Sequence, residues 1–279
     1  MIGYFRRQNN WFMALGAGTV LLLLALFGKE WLSGQDFYMK AFYGAIPVFL
    51  GVIAGRVFAS WWANGRLRQL DELLYKEEKP EEFIRAFAPL VKRAPANTVE
   101  YVNGCVKLAY AYEAMGQFGE SLKQLEDVKP EQLELHGLAA RALVANQKAK
   151  AYLLLGDREQ AGVCLEELKQ LQKTADRRVP ALASNLKECV RLVQVWLDFL
   201  LGEEWDEDYI TEEMRLAKHG IHRGEMGLLL AEMKKRKGDE EGAIKLFEEL
   251  RETNGRLYAG REAGRRLELY GEIGDQTDQ

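Results

Sequence analysis

Few side chains in this sequence have the types and spacing to do chemistry. There are three histidines, His136, His219 and His222, and the last two stand close to Glu225 at a spacing with the look of metal ligands. Gly220 and Gly224 lie among them, which predicts a turn between helices and not a rigid ligand-bearing face. Cys105, Cys164 and Cys189 are separated by 59 and 25 residues, which gives neither a CxxC pair nor an even disulfide set. Each is expected to be a small buried apolar side chain in a reducing compartment. No phosphate-cradling glycine loop, nucleophile elbow or HExxH helix occurs, and the many carboxylates spread as solvated helix faces. This inventory assigns no catalytic, metal-binding or cofactor-binding residue, so neither an enzymatic activity nor a cofactor is expected.

The elements that would position any site divide the chain. A mean hydropathy of −0.27 conceals two strongly apolar segments near the N-terminus. Gln8 to Gly28 is 21 residues without a charge, and as a helix that length spans roughly 31 Å, about the hydrocarbon thickness of a bilayer. Trp11 and Trp31 bracket it. Ala41 to Ala63 carries only Arg56, with Tyr38, Tyr43, Trp61 and Trp62 at its ends as interfacial aromatics. Arg56 is close enough to the segment's end for its guanidinium to reach the headgroups. A signal peptide is the competing reading of the first segment, but the run is long and lacks an A-x-A site, which favours an uncleaved hairpin. Transmembrane helices are therefore expected over about 9–28 and 41–63, in a hairpin covering residues 1–65.

Arg6, Arg7, Arg56, Arg66 and Arg68 lie at the outer flanks, whereas the short loop with Lys29, Glu30, Asp36 and Lys40 is neutral, so both termini are expected in the cytoplasm. A bacterial plasma membrane is the expected host. Gly51, Gly55 and Ala59 recur every four residues and strip one helix face for close packing. That face could meet helix one at Ala14 and Gly18, or a second copy of the chain as a homo-oligomer. Pro47 is expected to bend the helix.

Up to Arg68 the chain has a net charge of +5, so the remainder carries −9 of the overall −4. An acidic soluble region without a basic stripe argues against nucleic acid and for a protein or peptide partner. Beyond Arg66, residues favouring helices dominate and apolar residues recur at three and four, which predicts an all-α region. Pro80, Pro130 and Pro180 suit helix starts, and Gly116, Gly156, Gly202 and Gly238 mark turns. The helices expected are about 66–77, 80–93, 98–115, 118–128, 131–155, 158–173, 180–201, 205–218, 223–237, 240–253 and 256–270.

Aligning the turn glycines exposes a repeat. YEAMGQFGESLKQLEDV (112–128), YLLLGDREQAGVCLEEL (152–168) and KKRKGDEEGAIKLFEEL (234–250) each place a small residue, Ser121, Ala161 or Ala243, five after the glycine, with apolar residues four and seven beyond it. Ala109, Ala149 and Ala231 stand seven before it. Small residues are required there because the two helices of a hairpin cross at those points. This pattern resembles the tetratricopeptide repeat over about Asn97 to Glu252, best in Leu108, Ala109, Tyr112, Gly116, Phe118, Ser121, Leu125 and Val128. The glycine spacings of 40 and 82 exceed the family's period, and the unit around Trp196, Gly202, Trp205 and Met214 departs from it.

The expected fold is all-α: the transmembrane hairpin, a helical connector (66–96), an α-solenoid of tetratricopeptide-like hairpins (97–255), then a polar capping helix with a frayed tail (256–279). The resemblance implies binding on the concave face, where Asn103, Tyr110, Glu113, Asn146, Lys150, Glu232 and Lys235 lie off the packing stripe. Val106 and Tyr110 replace the Lys and Asn of the family's carboxylate clamp, which disfavours a C-terminal tail as ligand. The expected function is a membrane-anchored adaptor or scaffold; the alternative is a structural or transport subunit assembled through the membrane helices.

Overall fold

The computed structural model describes the backbone of residues 5–31, 37–96, 98–133 and 137–277, and the side chains of 5, 8–25, 39, 45–96, 98–133 and 137–270. His136, Arg6, Arg7, Lys29, Glu30, Trp31, Asp36, Tyr38, Lys40 and Tyr43 lie outside the described side chains. All regular structure among the described residues is helical. The chain divides into two units, Met1–Leu70 and Asp71–Gln279.

The first unit consists of α1 (Arg6–Trp31) and most of α2 (Phe37–Tyr75). Glycine sets how the two helices meet: a Cβ on Gly16 would run into the Gly51 carbonyl, and one on Gly55 into the carbonyl of Phe12. The contact on α1 therefore falls on Phe12 and Gly16, not on the expected Ala14 and Gly18, which are exposed. Ala59 is buried on the same stripe of α2. Phe12 meets Phe58 edge-on at 5.2 Å, and Phe5 meets Trp62 at 5.3 Å. Leu15, Leu22, Phe49, Val57 and Trp61 point away from the pair. One described stretch, Ala45–Tyr75 in α2, is long and apolar enough to cross a membrane. The helix runs unbroken through Pro47, and the helix expected at 66–77 is its continuation, because Asn64 and Gly65 do not interrupt it.

The second unit is built from α3 (Pro80–Val91), α4 (Val99–Ala114), α5 (Phe118–Glu126), α6 (Gly137–Leu155), α7 (Arg158–Arg178), α8 (Pro180–Leu201), α9 (Glu207–Leu216), α10 (Gly220–Arg236), α11 (Glu240–Thr253) and α12 (Tyr258–Thr277). Local chemistry explains the boundaries. Thr98, Asp157, Asp206 and Asp239 accept N-cap bonds from the backbone amides of Tyr101, Gln160, Tyr209 and Gly242 at 3.3, 3.1, 3.0 and 3.0 Å. Pro80 and Pro180 occupy first turns, where a missing N–H leaves no bond unmade. Pro130 instead opens a short 3-10 turn, Pro130–Gln132, so the helix expected from 131 starts at Gly137. The helix expected to stop near 173 continues to Arg178, because no breaker precedes Pro180.

The repeat is realised at its crossing points. Ala109, Ser121, Ala149, Ala161, Ala231 and Ala243 are all fully buried, as are Leu125, Leu168, Phe247 and Leu250 of the second helices. Consecutive helices pack as antiparallel pairs, α4 with α5, α6 with α7 and α10 with α11, and α4, α6 and α8 stack side by side. A core of Leu153, Leu168, Leu186, Trp196, Ile210, Met226 and Met233 runs from α6 to α10. The end differs from the expected polar cap on an open solenoid. Besides covering α11, α12 returns to the first hairpin: Arg261 donates to the Met115 carbonyl at 2.7 Å and Tyr258 meets Phe118 edge-on at 4.9 Å. The tail expected to fray from Gly271 continues as helix to Thr277.

Candidate functional site

Three helices of the second unit each present a polar pair three residues apart, the spacing that puts two side chains on one helix face. Tyr110 and Glu113 come from α4, Gln147 and Lys150 from α6, and His222 and Glu225 from α10. They converge. Lys150 Nζ lies 2.7 Å from Glu225 Oε2, joining residues 75 apart in sequence, with both side chains buried. Gln147 Nε2 donates to Glu113 Oε2 at 2.5 Å and Ser121 Oγ donates to Oε1 at 2.9 Å. Lys150 Nζ also sits 5.0 Å over the Tyr110 ring. His222 bridges outward, its Nδ1 3.7 Å from Glu225 Oε2 and its Nε2 3.7 Å from Glu213 Oε2.

The charges do not balance. One ammonium faces two buried carboxylates, and the geometry gives it to Glu225, leaving Glu113 with two neutral donors. Burial pushes the Glu113 carboxyl up to about 7, against the pull of Lys150. Burial opposes the charge of Lys150 too, yet the Glu225 and Glu113 carboxylates hold its pKa above the ordinary lysine value. For Glu225, burial pushes upward, and Lys150 with His222 overcomes it to leave the carboxyl below the ordinary range. Burial raises the Tyr110 hydroxyl well above 10. The cluster can thus hold a proton in the neutral range, on a group covered by protein.

Beside it a cleft of about 380 Å³ is lined by Tyr110, Glu213, Leu216, Ala217, Lys218, His219 and His222. Tyr75 backs this cleft, its ring 4.7 Å from His219 and 5.9 Å from Tyr110. A second cleft, of about 480 Å³, lies where α12 meets the α4–α5 turn, among Glu78, Lys79, Met115, Gln117, Arg256 and Arg261.

The sequence-derived groove residues fare differently. Tyr110, Glu113 and Lys150 come together, but Glu113 and Lys150 are buried network members and not solvated groove residues. Glu232 pairs with Arg266 at 3.0 Å and Lys235 stands 4.9 Å over the Tyr270 ring, so both face α12. Asn103 is exposed, Asn146 half-buried, and neither joins the cluster. The turn expected around His222 and Glu225 is helix: α10 starts at Gly220, so both sit on one rigid face. Among the described residues no group of three or more His, Cys, Asp and Glu is placed to hold a metal ion. Sequence reasoning missed Gln147, Ser121 and the role of Glu225; the available signal was the three-residue spacing of Gln147 and Lys150 on an Ala-rich helix. Cys105 and Cys164 are buried and Cys189 partly so, and burial raises all three thiols, Cys164 to about 11.

These features define an all-helical protein of consecutively packed helix pairs with an apolar helix at its N-terminal side. Comparison with known proteins finds no matching family, no matching curated protein and no matching solved structure.

Proposed function

We propose that this chain is a membrane-anchored, tetratricopeptide-like adaptor whose second unit engages a protein or peptide partner on the cytosolic face. The observation that carries the proposal is the contrast between the units. The first exposes Leu15, Leu22, Phe49, Val57 and Trp61 around a glycine-packed helix pair, a surface suited to lipid. The second buries its apolar side chains in stacked hairpins, an architecture that offers extended surfaces for other chains. In this reading α1 spans the bilayer with α2 and the flanking arginines keep both termini cytoplasmic.

A structural or transport subunit assembled through Gly51 and Gly55 draws less support, because α1 of the same chain already occupies those glycines. The test is to replace residues 1–70 with an unrelated two-helix anchor and compare proximity cross-linking in native membranes. The adaptor reading expects the same partners with either anchor. Loss of every partner on replacement, or only self-cross-links with the native chain, overturns it.

A further inference from the structure

We propose that the Glu113–Lys150–Glu225 cluster is a proton-operated latch that fastens α10 to α4 and α6, tight while the cluster holds one extra proton and loosened when that proton leaves. The geometry makes the cluster a fastener: it joins helices far apart in sequence through one buried ion pair and the hydrogen bond that the Gln147 amide donates to Glu113. Its charge makes it proton-sensitive. With both carboxylates ionised, the buried group carries a net negative charge beside a single ammonium; with Glu113 protonated, it is neutral. Gln147 and Ser121 can each reverse their roles and accept from a Glu113 hydroxyl, so protonation leaves no bond unmade.

The groups facing Glu113 can be named element by element. Ser121 comes from α5, Gln147 and Lys150 from α6, and Glu225 from α10, with His222 behind it and Glu213 of α9 beyond, and the Cys189 thiol of α8 faces Lys150. Tyr110 lies on the same face of α4, and Tyr75 of α2 touches its ring. The buried face of α3, which packs on α4, is apolar, with Phe83, Phe87 and Val91. α12 approaches the α4–α5 turn with Tyr258 and with Arg261, whose guanidinium is taken by backbone carbonyls. The sign follows from Glu113, whose folded pKa of about 7 stands above its ordinary 4.5. Its contribution is full below the ordinary value and is lost as pH rises through the folded one. Loosening α10 would uncover Tyr110 and enlarge the cleft that His219 and His222 line.

The experiment uses the full chain in lipid nanodiscs from about pH 5 to about pH 8, with two readouts. Hydrogen exchange in α10, corrected for intrinsic rate, should rise by up to about tenfold per pH unit until the neutral range, then level off. Infrared difference spectra should show a protonated-carboxyl stretch that disappears around the pH at which the exchange rate levels off. Glu113→Gln keeps the shape and removes the proton, so it should abolish both changes and leave α10 protected throughout, while His222 remains in place. Glu225→Gln frees Lys150 to balance Glu113, so the midpoint should fall by about one pH unit or more. The latch is overturned if Glu113→Gln shows the native pH profile, or if the midpoint does not move in Glu225→Gln. If Glu113→Gln does not fold, the native infrared band and the Glu225→Gln shift still decide.

Discussion

Lys150 has one positive charge and two carboxylates within its influence, and its Nζ commits to Glu225. A buried pair of this kind adds little over an apolar replacement of both partners, but breaking it from one side leaves an uncompensated charge. Lys150→Met should therefore destabilise the protein by about 3–5 kcal/mol, read from denaturant unfolding at neutral pH, and adding Glu225→Leu should recover much of the loss. If the single substitution costs under about 1 kcal/mol, the ion pair does not form as described. The sequence showed Lys150 and Glu113 as polar residues off the packing stripe of two helices. It did not show them to be buried, because Glu113 is covered by Ser121 of α5 and Gln147 of α6, and Lys150 by Glu225 of α10, which lies 75 residues away.

Among the helices, the turn glycines separate two costs. Gly116 and Gly156 both adopt left-handed backbone, with φ of 76° and 75°, after the last turn of a first helix. A Cβ at Gly156 would meet open space, whereas one at Gly116 would come within 2.6 Å of the Tyr258 ring. Gly156→Ala should cost only the backbone term, about 1–2 kcal/mol. Gly116→Ala should cost clearly more, since α12 must also shift away; thermal melts of the two variants give the comparison. Equal losses would mean that α12 does not rest on the first hairpin. Both turns were legible from glycine position alone, because only glycine takes that conformation without penalty. That one of them also supports a distant helix was not.

For the second unit as a whole, the decisive contact is the return of α12 to the α4–α5 turn. The helix expected to close an open end with a polar face instead packs Tyr258 on Phe118 and spends Arg261 on the Met115 carbonyl. A double-mutant cycle on Phe118→Leu and Tyr258→Leu should give a coupling of about 0.5–1.5 kcal/mol, the usual value for an edge-on aromatic pair. A coupling near zero in unfolding experiments would show an open arrangement in solution.

By itself the sequence determined what depends on neighbours within a helical hairpin. Two helix starts follow from Pro80 and Pro180, turns from the glycines, and crossing points from Ala109, Ser121, Ala149, Ala161, Ala231 and Ala243. Gly51, Gly55 and Ala59 identified the packing stripe of the apolar helix. These are short-range constraints of capping, backbone conformation and side-chain volume, and they leave a periodic trace. Tertiary structure alone decided which face of α1 meets that stripe, that His222 and Glu225 share a helix face with a buried partner, and that the last helix closes on the first hairpin. The last two outcomes depend on the summed rotations and displacements of successive hairpins. Each contributes a small angle set by packing, and only the accumulated geometry brings Glu225 to Lys150 and Arg261 to Met115.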